Sequence, residues 1–559
     1  MRLSPLVLLA GLLAITAAST TATPPQVPVP SAPEEGRLPD SEVDLYPRPR
    51  PAVTVGTRSA PRSSSGIEEG PLPETLRQQL KREARTRTDL PVATELGPAS
   101  PLTQTRPRPG IVSRFEGLDR SEAGGAFPPD TSLAVGPGHV LQVVNVGARL
   151  FTRDGEEVDS ASLFDHFGVV QNRILTDPKV HFDPFTSRFF MVVLEISFAD
   201  GEAYLHLSLS KTATPPSLGA EDWCNYRYST VRRESFGDYP GLGMNERWLA
   251  VSMNNFGFSG GFVGSRLFVI DKSKVAGELS SCPSFKLYTF NLDLDESGNV
   301  VFNPQPAQHY DETGEKDTPL FAVSSHFDRR GAGSAYAIWR IAGKRKKPKL
   351  SHEIVAAEAY SIPPNAAQPG NLEVDSGDQR VMQQATYRNG QLWFAHATAC
   401  EVKGSSSTLS CVRVSRVRPL ADGGPVIDFQ ATLGRKNEYM FWPGVIVTAD
   451  GDVIVASLRS GPDRLLETAV FGLRSGAARF EEIMARAKFS KPRTTEPGVC
   501  TPINLSFTPD GRLIARSGDY LGLALDLSTD EIWVSGEHGK TGQFGIGCMW
   551  GTEVVRTSF

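Results

Sequence analysis

From Ile111 onward, short apolar runs come in pairs along the chain. Val140–Val144 is followed by Ala148–Phe151, Phe189–Ile196 by Tyr204–Leu209, and Trp248–Ser252 by Arg266–Ile270. Leu320–Ser324 is followed by Ala335–Trp339, and Leu392–Ala395 by Val412–Val417. Gly, Asp, Asn and Pro bound the runs, and helical periodicity is nearly absent. Alternation with a period of two between turn residues predicts antiparallel strands buried on at least one face.

The paired strands belong to a longer repeat. Seven segments share one grammar: a polar anchor, a strand of small residues, a turn, then a strongly apolar strand. The anchors are Asp130, Asp177, Gly237-Asp238, the weaker Gln308-His309-Tyr310, Gly377-Asp378, Tyr439 and Gly518-Asp519. Residues 111–559 number 449, so each unit has about 64 residues, long for a propeller repeat but within what loop insertions allow. The predicted fold is all-β: a seven-bladed β-propeller over 111–559, against the alternative of two β-sandwich domains, which have no reason to repeat an Asp-anchored strand. Pairing of Trp550–Arg556 with Ile111–Phe115 would close the ring and remove its open edge.

The N-terminal region has a different texture. Met1-Arg2, the apolar run Leu3–Ala17 and the small residues that follow predict a signal peptide over 1–22; the run is short for a membrane anchor. Residues 23–110 are dense in proline, with Tyr46 the single aromatic. This composition predicts a disordered Pro/Arg-rich linker or pro-segment, in which Pro73–Arg87 has the pattern of a short helix.

Composition narrows the function classes. The 559 residues include 52 Gly, 42 Pro, 40% hydrophobic and 22% charged residues, with a formal net charge of −5. No overall charge attracts nucleic acid or an anionic membrane, and no later stretch reaches the length of a membrane span. A secreted monomer, extracellular or periplasmic, is expected. Its six cysteines suit an oxidising compartment. Cys400 and Cys411 end and open strands joined by a Gly/Ser loop, so they are predicted to pair; Cys224–Cys282 and Cys500–Cys548 follow from sequence order only. No C-x-x-C spacing suggests zinc.

Several segments resemble a diffuse group of secreted bacterial β-propeller proteins of unassigned activity. They are Phe127-Pro128-Pro129-Asp130-Thr131 with Val135-Gly136-Pro137, Asp177-Pro178-Lys179, Gly237-Asp238-Tyr239-Pro240, the stretch Tyr387–Trp393, and Trp550-Gly551-Thr552. The resemblance implies the fold and export, and no activity.

The chain contains no nucleophile elbow, H-E-x-x-H, P-loop or EF-hand loop. What remains is a constellation of anchors. Asp130, Asp177, Asp238, Asp378 and Asp519 occupy equivalent starting positions, which a propeller gathers on one face. Asn145, Glu195, Asn254, His326, His396 and Glu537-His538 end the returning strands on that face. Converging carboxylates must be hydrogen-bonded, protonated or neutralised by a cation. The Asp set therefore either pins neighbouring blades through backbone N–H groups or holds a hard cation, Ca²⁺ before Mg²⁺. Two functions follow: a binding or scaffold module for an extracellular protein or glycan, or a metal-assisted hydrolase or lyase in the axial funnel with a carboxylate, His326 or His396 as base.

Overall fold

The computed structural model describes residues 36–48, 72, 74–96, 110–275, 277–292, 301–310, 318–328, 330–344, 346–369, 372–483, 506–507, 513–541 and 548–558. Among them, 59% lie in strands and 4% in helices. The signal peptide, residues 97–109 and the Cys500–Cys548 pair lie outside the described residues or side chains.

Most of the described strands fall into seven successive four-stranded antiparallel groups, and Ala366–Ala367, Leu372–Val374, Leu513–Ala515 and Ser506–Phe507 form a further small sheet. The first is Ser132–Val135, His139–Val144, Gly147–Thr152 and Glu157–Ser162; the second is Ile174–Asp183, Arg188–Ser197, Glu202–Ser210 and Trp223–Ser229. The third is Ser235–Met244, Trp248–Gly257, Phe262–Asp271 and Phe285–Leu292; the fourth is Gln305–His309, Leu320–Phe327, Ala332–Lys344 and Lys347–Ser361. The fifth runs Ala385–Arg388, Gln391–Cys400, Leu409–Arg418 and Val426–Gly434, and the sixth Tyr439–Val447, Val453–Gly461, Arg464–Leu473 and Glu481–Glu482. The seventh combines Gly522–Asp526, Glu531–Thr541 and Cys548–Ser558 with Gly110–Asp119 from the start of the domain. Phe115 opposes Val554 in that last pairing, as the sequence predicts.

Apolar cores lie between successive groups, because strands buried on both faces need a partner on each side. Val192 and Leu207 of the second group pack with Val251 and Phe268 of the third. Ile446 and Val470 of the sixth pack with Leu523 and Val534 of the seventh. Trp533 and Val554 of the seventh pack with Leu133 and Val140 of the first. The packing thus returns to where it began.

The first strands of three groups share a kink. Asp177, Tyr239 and Trp442 each have φ between 50° and 56°, each precedes a proline, and each lies in a register shift. A bulge of this kind adds a residue and re-aims the side chains around it. The D-P-K and D-Y-P segments are therefore bulge sequences.

The expectation of disorder over 23–110 is corrected for 36–48 and 74–96. Ser41–Leu45 pairs antiparallel with Phe285–Leu292, covering the outer edge of the third group. Val43 and Leu45 face the core there. Helix Glu74–Ala84 forms within the predicted stretch, and Thr94–Glu95 pairs parallel with Leu433–Gly434 of the fifth group. Low apolar content argues against an independent core in such a segment. It does not prevent the segment from completing edges that a larger domain leaves open.

Disulfides join Cys224 to Cys282 and Cys400 to Cys411. Cys411 lies opposite Thr398, and Cys400 opposite Leu409, on the two strands that the Gly/Ser loop connects. Among the described residues, no helix is long and apolar enough to cross a membrane.

Candidate functional site: a buried acidic cluster

Four of the five predicted aspartates come together. Asp130 and Asp519 precede the first strands of the first and seventh groups, while Asp177 and Asp238 occupy the bulges of the second and third. Asp130, Asp177 and Asp519 are buried and Asp238 is half-buried. Burial, with Asp519 and Asp177 nearby, raises the Asp130 carboxyl well above the ordinary range. The same two causes, burial and neighbouring carboxylates, raise Asp177 and push Asp238 well up. Asp130, Asp177 and Asp238 therefore hold a proton more tightly than an exposed aspartate does,.

Backbone N–H groups occupy several of the oxygens. Asp130 Oδ1 accepts the N–H of Asp519 at 2.7 Å, and Asp177 Oδ2 accepts the N–H of Tyr239 at 3.0 Å. Asn145 joins the two: its Nδ2 donates to Asp130 Oδ2 at 2.6 Å, and its Oδ1 accepts the N–H of Asp177 at 2.9 Å. Asn254 Oδ1 accepts from Asn303 N–H at 2.9 Å, and Asn303 Nδ2 donates to Val381 O at 2.7 Å. Gln383 Nε2 continues the chain to Trp442 O at 2.9 Å. Except for the Asn145–Asp130 bond, which stays within the first group, each of these bonds crosses from one strand group, or the segment leading into it, to another.

Residues that the anchor pattern did not single out fill the rest of the cluster. Lys179, buried, places Nζ 2.7 Å from the centroid of Tyr520 and 5.0 Å from that of Tyr239. Burial pulls its ammonium down to about 7, against the opposing pull of Asp177, Asp130 and Asp519. Tyr239 OH donates to Met382 O at 2.8 Å, and Tyr520 OH to Pro178 O at 2.9 Å. Arg516 pairs with Asp519 at 2.8 Å. The quoted D-P-K and G-D-Y-P segments already contained Lys179 and Tyr239, and Tyr520 follows the Gly518-Asp519 anchor; a tyrosine after Gly-Asp in both places was the available signal.

The other predicted residues take separate places. Asp378 is buried against Arg380, whose Nε donates at 2.6 Å. Glu537 accepts the N–H of Gly518 at 2.8 Å, and burial pushes its carboxyl up to about 7. Glu195 is bound by His206 at 2.6 Å and by Arg227 and Arg173. His396 is fully buried, with Nδ1 at 2.8 Å from Ala397 O and Nε2 at 2.7 Å from Tyr336 OH. The carbonyl partner places the proton on Nδ1, and burial lowers the imidazole to about 3. This geometry makes His396 an acceptor for a tyrosine instead of a base facing a ligand. His326 is half-buried, and its backbone exchanges hydrogen bonds with Tyr360 OH. Among the described residues, no group of three or more His, Cys, Asp or Glu side chains is arranged to hold a metal ion.

An aromatic row leads outward from this region. Arg380 lies 4.6 Å from the Phe302 ring centroid, and its charge acts on Asp238. Phe302 contacts Phe262 at 4.8 Å, Phe262 contacts Phe256 at 5.8 Å, and Phe256 contacts Phe236 at 6.3 Å. Phe198, 45% exposed, ends the row edge-on to Phe236 at 5.3 Å and Phe258 at 6.0 Å.

No family model and no curated protein matches the chain. Solved structures do share similarity. A protein of unknown function from Dyadobacter fermentans aligns at 10% identity and TM-score 0.30, covering 69% of this chain and 95% of that one. A Trypanosoma rangeli sialidase mutant with trans-sialidase activity aligns at 8% identity and TM-score 0.35, covering 73% of this chain and 56% of its own. A GH43 endo-arabinanase from Bacillus licheniformis aligns at 13% identity and TM-score 0.26, over 64% and 97% of the two chains. These similarities assign no activity to this chain.

Proposed function

We propose that the seven strand groups are the blades of one secreted β-propeller, and that the protein is a binding module for an extracellular glycan or protein. Packing of the seventh group on the first supports the closed ring. The two disulfides are consistent with an oxidising compartment,.

The observation that carries the binding reading is exposed Phe198, the outer end of an aromatic row whose buried inner end meets Arg380. An exposed ring near the partly exposed Asp200–Arg173 pair suits a sugar, which offers a C–H face and hydroxyls together,. The pins argue in the same direction, because oxygens of Asp130 and Asp177 already serve backbone amides. Screening the full chain against an oligosaccharide array tests the reading. Binding that falls about tenfold or more in Phe198→Ala, without a change in melting, is expected; ligand binding that ignores Phe198 overturns the assigned surface.

One observation favours a second reading, a hydrolase or lyase. Asp238 is half-buried, its carboxyl is pushed well up by burial and by Asp177 and Asp519 beside it, and such a carboxyl suits a general acid. Product release that is lost in Asp238→Asn would select it.

A further inference from the structure

The N-terminal helix grips the loop that feeds the cluster. Lys81, 1% exposed, donates from Nζ to Asp375 Oδ1 at 2.5 Å, to Asn365 Oδ1 at 3.0 Å and to Ser376 Oγ at 3.2 Å. Arg77, also buried, makes a two-pronged contact with the same carboxylate, at 3.2 Å to Oδ1 and 2.8 Å to Oδ2. Gln78 accepts from Asn365, and Arg85 pairs with Glu373. Two cations from one helix face therefore converge on one half-buried aspartate. The pair of charges holds Asp375 far below its ordinary range.

Asp375 stands at the start of a tight turn. Its Oδ1 accepts the N–H of Gly377 at 3.0 Å, and Asp378 Oδ1 accepts the N–H of Arg380 at 3.0 Å. Gly377 has φ of +68°, and a Cβ there would lie 2.4 Å from the Trp442 ring, so the turn has little freedom to shift. From it the chain delivers Arg380 to Asp378 and Phe302, the Val381 carbonyl to Asn303, and the Met382 carbonyl to Tyr239.

We propose that helix Glu74–Ala84 is a latch: by clamping Asp375 it holds the 375–382 turn in the conformation that positions Arg380 and Met382 against the acidic cluster, so that release of the helix loosens the site. The inference goes beyond the binding reading and does not depend on it. Lys81 and Arg77 are positioning residues that act through Asp375. Removing one partner of a buried ion pair leaves the other charge uncompensated, so the turn must yield or take in water when the latch goes. A segment that resembles a spacer in sequence thereby controls the order of the central face.

Hydrogen exchange on the full chain tests the latch without any ligand. In the double variant Lys81→Met, Arg77→Met, the amides of Gly377, Arg380 and Val381 should exchange about tenfold faster or more, along with those of helix 74–84. The Ser41–Leu45 amides should keep wild-type rates. Acceleration confined to helix 74–84, with the turn unchanged, overturns the proposal. Should the double variant fail to fold, a specific protease site placed within residues 97–109 allows the folded chain to be cut and the N-terminal fragment dissociated. The amides of Gly377, Arg380 and Val381 are then read in the remaining chain: exchange about tenfold faster or more is expected, and unchanged exchange overturns the proposal.

Discussion

Asp130 and Asp519 stand 389 positions apart, and the carboxylate of one accepts the backbone N–H of the other at 2.7 Å. The contact joins the segment entering the first strand group to the segment entering the seventh. It belongs to a chain of side-chain-to-backbone bonds through Asn145, Asp177, Asn254, Asn303 and Gln383. In this arrangement acidic and amide side chains act as fasteners between sheets, and burial raises the pKa of Asp130 and Asp177 as a consequence.

Asn145 is the most constrained of the fasteners, because its carbonyl and amide ends are both used and it cannot be flipped. Asn145→Asp removes the donor to Asp130 and adds a like charge to a buried acidic cluster. We expect a loss of about 2–4 kcal/mol, measured by urea unfolding. A loss below about 0.5 kcal/mol would mean that the bond chain contributes little.

Glu537 gives the pH dependence a sign. Its carboxyl titrates near 7 in the folded protein and near 4.5 ordinarily. Between those values the unfolded chain has released a proton that the folded chain keeps, so stability falls as pH rises through this window. The full effect is about 3 kcal/mol. Glu537→Gln should be near neutral at pH 5 and stabilising at pH 8 by up to that amount. Lys179 acts oppositely from about 7 to its ordinary 10.5, where the unfolded chain binds the extra proton and stability rises with pH.

The strand pairs, the closing strand and the Cys400–Cys411 pairing were legible because each depends on local alternation, turn residues or equivalent position. Convergence of Asp130, Asp177, Asp238 and Asp519 was legible for the same reason. Lys179 and Tyr239 were not read as part of the cluster, because a bulge at a positive-φ residue re-aims side chains that simple alternation assigns elsewhere, and Tyr520 precedes its strand, where alternation assigns nothing. His396 illustrates the same limit: its strand was correctly placed, yet its partner, Tyr336, comes from the neighbouring group. The N-terminal strap was missed because composition reports whether a segment can fold alone, and this one completes an edge and a charge pair supplied by residues hundreds of positions away.

The calcium expectation can be tested by chelation. Oxygens of Asp130 and Asp177 already accept backbone N–H groups, so a chelator or added Ca²⁺ should leave the melting temperature unchanged. A drop on chelation, restored by Ca²⁺ and absent in Asp238→Asn, would assign a cation to the cluster.

The two disulfides should contribute unequally. Their cysteines are separated by 58 and 11 positions. Chain entropy gives about 4 kcal/mol for the longer loop and about 3 kcal/mol for the shorter. Cys224→Ser should therefore lower stability more than Cys411→Ser in parallel denaturant titrations; the reverse order would show that native contacts, and not loop closure, dominate.

The binding reading is tested most directly by incubating an array-selected oligosaccharide with the full chain to equilibrium, measuring Kd and analysing the sugar by mass spectrometry in the same sample. The predicted result is saturable binding, weakened about tenfold or more by Phe198→Ala and little affected by Asp238→Asn, with the oligosaccharide recovered intact. Cleaved sugar that accumulates with time and disappears in Asp238→Asn would contradict it.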